Sequence, residues 1–419
     1  MSTATRAPLM SLDDALQALL ARITPLTDAE SVATFDADGR VLAEDLVSAL
    51  QVPAFDNSSM DGYAVRRADL LQPGVSLRVS QRIAAGHSGQ PLQPGQVARI
   101  FTGAPVPEGA DAIVMQELAE TVPEEPDAVR FNVVPEPGQW IRRSGEDIRQ
   151  GQTALHSGQK LGPAELGLAA SLGLAHLPVL RRPRVALFST GDELVMPGDV
   201  APQDMPPGSI YNSNRFFLRT LLHRMGCEVS DLGIVPDRRE ATVAALKTAA
   251  DHHDLILTSG GVSVGEEDHV KPAVQSLGSL DLWMIAMKPG KPFAYGRVQA
   301  EADAAGGGAH FIGLPGNPVS SLITFCVLVR PFLLRLQGVV DVAPKIVAAR
   351  ADFTWLKADK RREFLRVRLT PGGALELYAN QGSGVLTSTV WGDGLVDNQP
   401  GQTIAPGDSV SFLPFAELL

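Results

Sequence analysis

The chain has 419 residues, enough for about two to four domains, and 44% apolar with 20% charged residues is an ordinary globular composition. Its 36 Lys and Arg against 47 Asp and Glu leave a net charge of −11, which disfavours nucleic acid and anionic membranes as partners. An anionic ligand has to be held by local donors or by a metal. Only Cys227 and Cys326 are present, so no disulfide framework or four-cysteine zinc site can be built, and a reducing cytoplasm fits. Met1 to Met10 lacks the apolar run of an export signal. The most apolar helix meets Arg330, Pro331 and Arg335 after twelve uncharged residues from Pro318, so no membrane span is expected.

In chain order, Ser11 followed by Leu12, Asp13, Asp14, Leu16, Leu19 and Leu20 predicts an N-capped amphipathic helix ending before Pro25. From Val32 to Val134 the pattern changes to short apolar runs, Val75–Val79, Val97–Phe101, Ala112–Gln116 and Val129–Val134, separated by Pro-Gly turns, which predicts a β-rich region. Gly162 to Leu174 predicts a short helix, and Arg181-Arg182-Pro183-Arg184 a polar junction. Beyond it, strands at Val185–Phe188, Val229–Val235 and Leu255–Leu257 alternate with helices at Arg215–Met225 and Glu240–Ala250, the pattern of βαβ units on a parallel sheet. A strand at Leu282–Ala286, a hairpin of Phe293–Val298 with Phe311–Leu314, and a long helix from Asn317 towards Leu336 follow. After Gly338 the reading returns to β, with Glu363–Leu369, Ala374–Tyr378, Val385–Val390 and Val410–Leu413 making a barrel or sandwich of about 80 residues. Gln299–Ala309, rich in Ala, Gly and acid, is expected to be a flexible loop.

The residues that could carry chemistry sit at strand ends. Asn57-Ser58-Ser59-Met60-Asp61-Gly62-Tyr63-Ala64 puts one carboxylate on a turn of small polar residues, and Thr102-Gly103-Ala104-Pro105 and Gly145-Glu146-Asp147 add a hydroxyl and acids. Taken alone, an Asp-Gly turn is more often structural than functional. In the α/β segment, Ser189-Thr190-Gly191-Asp192-Glu193 and Ser259-Gly260-Gly261-Val262-Ser263-Val264-Gly265 follow strands, on the carboxyl edge where open sheets bind ligands. The Gly-Gly turn is either an anion cradle or a tight strand-to-helix turn, and it lacks the spacing of a P-loop or dinucleotide fingerprint. Lys288-Pro289-Gly290-Lys291-Pro292 sets two ammonium groups on a proline-stiffened chain, suited to phosphate or an oxyanion or else a solvated turn. Leu314-Pro315-Gly316-Asn317-Pro318-Val319-Ser320 reads as a well-made helix start, with Asn317 as N-cap. His252, His253 and His269 lack zinc-ligand spacing, and the tryptophans form no stacking platform for bases.

Taken together and in this order, Asn57–Ala64, Thr190–Leu194, Ser259–Asp268, Lys288–Pro292 and Leu314–Ser320 resemble the molybdopterin molybdenumtransferase family, the bacterial MoeA proteins and the E domain of gephyrin. The resemblance runs from the helix at Leu12 to the strand at Phe412. It implies a cytoplasmic homodimer that takes adenylylated molybdopterin and molybdate to molybdenum cofactor and AMP with Mg2+, in contact with other cofactor-biosynthesis proteins. The implied fold is multidomain α/β plus β: an elongated N-terminal helical and linker region (1–180) with an inserted β-rich domain (about 57–146), an α/β molybdopterin-binding sandwich (181–337) and a C-terminal β-barrel (338–419). It also implies catalytic roles for Asp61, Asp147, Glu193 and Asp268, with Glu193 and Asp268 on the metal. Thr102, Gly260, Gly261, Ser263, Lys288, Lys291, Pro315, Pro318 and Ser383 would bind substrate. Ser59 stands where the family often has Ala, and Gln381-Gly382-Ser383-Gly384 is the loosest match.

The residue types suit that chemistry on their own grounds, because splitting a phosphoanhydride requires neutralising developing negative charge with a carboxylate-held cation and ammonium groups. Related adenylyltransferases or nicotinamide-mononucleotide deamidases share the Gly-Gly-x-Ser turn but do not require Asn57–Ala64 or the C-terminal β domain. A gephyrin-like scaffold is the remaining alternative.

Overall fold

The computed structural model describes residues 9–261, 269–300 and 308–419. Ser263, Asp268 and most of the Gln299–Ala309 loop therefore lie outside the described residues.

Ser11 Oγ accepts the Asp14 amide at 3.0 Å and starts the helix Leu12–Leu20, as its sequence predicts. Its apolar stripe, Leu12, Ala15 and Leu19, packs into the central α/β core rather than onto the residues that follow it. Those residues form an antiparallel pair, Ala29–Ala33 with His176–Leu180, and a second, Leu46–Val47 with Thr153–Leu155, beside the helix Pro163–Ser171. Between the two passes lies a six-stranded sheet in the order Ala112–Met115, Gly62–Val65, Gln96–Ile100, Val75–Ile83, Glu125–Phe131, Ala119–Val122. All four apolar runs of this region are strands. Gly62 holds the sheet together at its crowded centre, since a Cβ there would meet the Val114 carbonyl oxygen at 2.1 Å.

The central sheet has the strand order Glu228–Val235, Arg184–Thr190, Leu255–Ser259, Ala309–Leu314, Pro292–Val298, Gly278–Met284. The first four are parallel, and Pro292–Val298 runs against both of its neighbours. Both faces are covered, so its strands read as continuous apolar runs. Val185, Leu187, Leu255 and Leu257 face a core shared with the helices Asn214–Arg224 and Pro318–Leu336, while Ala186, Phe188 and Ile256 face Arg239–Ala250 and Val270–Leu277. Pro318–Leu336 is long and apolar enough to cross a membrane, yet 83% of its apolar window is buried in this core. Cys227 and Cys326 are both buried, and burial pushes each thiol up to about 12, so neither offers a thiolate at neutral pH.

The C-terminal strands close on themselves: Arg362–Leu369, Ala374–Leu377, Val347–Ala351, Ser409–Pro414 and Gly394–Asn398, which pairs back with Arg362–Leu369. Val347–Ala351 and Gly394–Asn398 are not evident in the sequence pattern. The expected strand at Val385–Val390 is instead the short helix Thr387–Trp391. Its β-branched residues mislead because Ser388 and Thr389 return their hydroxyls to Val385 and Leu386 carbonyls, and the buried Arg366 donates to Ser388 at 3.1 Å. Arg362 joins barrel and N-terminal helix, bonding Asp397 twice at 2.6 Å and Asp13 at 2.8 Å.

The Arg181–Arg184 junction is organised by Asp254. Its carboxylate takes both Arg181 terminal nitrogens at 2.7 and 2.8 Å and the Arg184 amide at 2.7 Å, while Arg181 also reaches Asp28 at 2.8 Å. Burial alone would raise the Asp254 pKa, but Arg181 and the Arg184 amide outweigh it and hold the group below its ordinary value. A depressed carboxyl pKa stabilises the fold above the unfolded-chain value and ceases to do so as pH falls through the folded one. Asp254→Asn is therefore expected to lose about 2 kcal/mol at pH 7, because it removes the charge from a partly buried carboxylate that holds three charge-assisted hydrogen bonds. The deficit should shrink below pH 3.8, as urea unfolding at a series of pH values will register.

Candidate active-site cleft

The register brings Ser189, Ser259 and Leu314 level with one another, so the loops leaving these strands converge. They enclose a cleft of about 820 Å³ lined by Thr190, Gly191, Glu193, Gly260, Gly261, Pro315 and Pro318, among others. Gly260 (φ +94°) and Gly261 (φ +67°) turn the chain at its floor; Cβ atoms there would lie 2.9 Å from the Thr190 carbonyl oxygen and 2.5 Å from Val270 Cγ2. The structure shows the tight turn. The Gly260 amide already donates to the Leu314 carbonyl at 3.1 Å, whereas the Gly261 amide has no such bond among the described residues. Glu193 is an exposed carboxylate on the wall.

Four wall residues, Tyr211-Asn212-Ser213-Asn214, are absent from the sequence-based candidates. Asn214 is buried and donates its amide to Ser259 Oγ and to the Gly316 carbonyl, each at 2.7 Å, tying two strand-end turns together. Asn212 is also buried, and its Nδ2 has no partner among the described residues. The available signal was a cluster of short polar residues between Pro206-Pro207-Gly208 and a helix. Asn317 occupies the N-cap position of Pro318–Leu336, but its side chain makes no capping bond. The Val319 amide instead donates to the Ser383 carbonyl at 3.0 Å, which brings the barrel loop to the cleft rim, where Gly384 contributes to the lining.

The two lysines have different surroundings. Met287–Lys288 pairs in parallel with Arg362–Glu363, so this turn is stitched to the barrel at one end and enters the central sheet at Pro292 at the other. Lys288 Nζ lies 3.0 Å from Glu363 and 3.7 Å from Asp359, and 5.8 Å from the centre of the Trp355 ring. Glu363 is 1% exposed and also accepts Trp355 Nε1 at 2.8 Å. Lys291 makes no ion pair among the described residues. Gly290 (φ +104°) leaves no room for a side chain, since a Cβ would sit 2.4 Å from Thr324 Oγ1.

Asp61 and Thr102, separate in sequence, form one unit: Asp61 Oδ1 accepts both the Thr102 amide and its hydroxyl at 2.8 Å. The amide, and then the hydroxyl, hold the Asp61 carboxyl below the usual range, so it is ionised at neutral pH. Asp147 is exposed, and its amide donates to the Val52 carbonyl at 3.1 Å. Asp61, Thr102, Asp147, Lys288, Lys291 and Ser383 are not among the residues lining the cleft, although Pro292, next to Lys291, and Gly384, next to Ser383, are.

Three family models match in order: the MoeA N-terminal region (domain I and II) over residues 10–173, a probable molybdopterin binding domain over 186–335, and the MoeA C-terminal region (domain IV) over 348–415. The molybdopterin molybdenumtransferase of Haemophilus influenzae is 40% identical over 98% of this chain and 100% of its own length. The chain belongs to the molybdopterin molybdenumtransferase family. This family catalyses molybdenum insertion in the synthesis of molybdenum cofactor. Among other members, molybdopterin molybdenumtransferase 2 of Mycobacterium tuberculosis is 43% identical over 73% of this chain and 74% of its own. Gephyrin of Dictyostelium discoideum is 33% identical over 78% of this chain and 49% of its own. A solved MoeA structure from Pyrococcus horikoshii OT3 superposes with a TM-score of 0.82 at 26% identity, over 97% of this chain and all of that one. The N- and C-terminal matches cover the segments that a lone α/β domain does not need.

The lysine environments generate a prediction. Lys288→Ala strips a buried carboxylate of its ammonium partner and should cost about 2–3 kcal/mol. Lys291→Ala, with no ion pair to lose, should stay within about 0.5 kcal/mol of wild type in the same thermal or urea unfolding.

Proposed function

We propose that this chain transfers molybdenum from molybdate to adenylylated molybdopterin, releasing AMP, and that the cleft at the carboxyl edge of the central sheet is where it does so. The observation that carries the reading is the convergence of Glu193, the Gly261 amide, unbonded among the described residues, and the Pro315–Pro318 helix start on one cavity. The relatives carrying this activity in their names extend over nearly the whole chain. Cleaving the phosphoanhydride builds negative charge on the departing phosphate. Lys291, adjacent to the lining residue Pro292, and Lys288, on exchanging Glu363 for substrate, would offset that charge from the edge of the cleft, and the Gly261 amide would offer a fixed donor. Glu193 presents one carboxylate to a cleft open to phosphates, a donor set that Mg2+ accepts, and Asp268 would join it from outside the described residues. Bound there, Mg2+ would supply electrostatic neutralisation of the phosphate oxygens.

Because Asp61, Thr102 and Asp147 lie on segments outside the cleft, we assign them to the cleft of a second copy, in a cytoplasmic homodimer. Exposed apolar side chains of the N-terminal region favour such pairing: Phe35 is fully exposed, and Val47 and Phe55 are about half exposed. Ser263, Pro315, Pro318 and Ser383 retain the substrate-binding roles that the family resemblance implies.

Purified protein should release AMP from adenylylated molybdopterin faster with molybdate, and stop in excess chelator. Full turnover in chelator would remove Mg2+ from the account. Asp61→Asn and Glu193→Gln should each be slowed by about a hundred-fold or more. Mixing the two variants should restore up to about a quarter of wild-type turnover, as random exchange of subunits puts both defects in one copy's share of a mixed dimer. Mixtures as inactive as either variant alone would contradict the shared site.

A further inference from the structure

The Asp61–Thr102 unit stands on an exposed surface turn, where nothing in the unit itself fixes its direction. Asp61 Oδ1 is occupied by Thr102, while Oδ2 has no hydrogen-bond partner among the described residues. What holds the unit is underneath it. Asp61 precedes the strand Gly62–Val65 and Thr102 follows the strand Gln96–Ile100, two antiparallel neighbours with Gly62 opposite Ile100. Arg99 reaches across both. Its Nη1 donates to the Gly62 carbonyl at 2.9 Å, and its Nη2 donates to Gln116 Oε1, beyond the third strand of the set. The Gln116 amide closes the circuit by donating to the Asp61 carbonyl at 3.1 Å.

The guanidinium is also fixed by aromatic rings. Its central carbon lies 5.1 Å from the Tyr63 ring centre and 4.7 Å from that of Phe101, and Arg82 approaches Phe101 at the same 4.7 Å. Tyr63 and Phe101 lie within two residues of Asp61 and Thr102 respectively. Stacking and a two-pronged donor geometry are what arginine supplies and lysine does not. Both hydrogen bonds of Arg99 end on neutral oxygens, and it makes no ion pair with a carboxylate among the described residues. After the Thr102 amide and hydroxyl, its charge acts on the Asp61 carboxylate through space, as the smallest of the influences that hold that group below its ordinary pKa, without the direct ion pair that Arg181, Arg215 and Arg362 each make to an aspartate.

We propose that Arg99 is a positioning residue for the Asp61–Thr102 unit: clamped on Tyr63 and Phe101, it locks the two strand ends in register and sets the direction in which Asp61 presents its free carboxylate oxygen. Arg99 touches no substrate in this scheme and acts through Asp61. The proposal rests on the reading that Asp61 takes part in the reaction, and its test separates the two.

Four variants are compared: Arg99→Met, which keeps the length of the side chain but removes charge and donors; Arg99→Lys; Asp61→Ala; and the double variant of Asp61→Ala with Arg99→Met. In AMP release with molybdate, Arg99→Met should lower kcat about ten-fold and change KM for adenylylated molybdopterin by less than about two-fold. Arg99→Lys should recover only part of that loss. The double variant should be no slower than Asp61→Ala, because a residue acting through Asp61 has nothing left to position. In the substrate-free protein, hydrogen exchange at the Thr102 amide should accelerate in Arg99→Met while thermal unfolding changes little. Wild-type kcat in Arg99→Met beside an impaired Asp61→Ala overturns the proposal alone, as does a double variant whose loss is the product of the two single losses. A fully active Asp61→Ala overturns the reading of Asp61, and the Thr102 amide then decides: unchanged exchange overturns the positioning role too. Should Arg99→Met fail to fold, Arg99→Lys carries the same comparisons, and a Lys variant equal to wild type in kcat and exchange overturns the proposal.

Discussion

The cleft depends on how closely three strand ends approach one another. Parallel strands in register end level, so the chain leaving Leu255–Ser259 has to turn against the Thr190 carbonyl and the side chain of Val270 with no space for a Cβ. Two consecutive glycines in left-handed conformation solve this steric problem. The same turn leaves the Gly261 backbone amide without a hydrogen bond among the described residues, at the floor of a cavity in an acidic protein. Asn214, bonded to Ser259 and to the Gly316 carbonyl, ties this strand end to the turn after Leu314.

The turn Lys288–Pro292 applies a second constraint, because it belongs to two domains at once. Its first residue pairs with the barrel and its last opens an inner strand of the central sheet, while Gly290 seats against Thr324 of the long helix. Barrel and sheet are therefore held in a defined relation, and the Gln381–Gly384 loop is delivered to the rim. Lys288 takes part in that relation through Glu363. The ion pair of the Lys288 ammonium with the buried Glu363 carboxylate thus adds a side-chain tie to the backbone pairing between turn and barrel.

Much of this was legible in the sequence because it depends on local rules. The strands of the central sheet are apolar on both faces and so stand out as continuous runs, and Ser11 and the Pro-Gly turns mark boundaries by their own backbone chemistry. The illegible parts depend on distant partners. Thr387–Trp391 is helical because of the buried Arg366, twenty-two residues before Ser388, and Asn214 matters through Ser259, forty-five residues later. Val347–Ala351 and Gly394–Asn398 are strands through barrel closure, not through strong alternation of their own. The union of Asp61 with Thr102 has the same character: each motif is weak alone, and only a sheet register that sets Gly62 opposite Ile100 brings them together.

The central claim, that adenylylated molybdopterin occupies the carboxyl-edge cleft, is tested most directly by hydrogen–deuterium exchange of the whole protein with and without that substrate. The account predicts slowed exchange at Thr190–Leu194, Ile210–Asn214, Ser259–Gly261 and Pro315–Ser320, the segments that line the cavity. Protection confined to other segments, with these four unchanged, would contradict it.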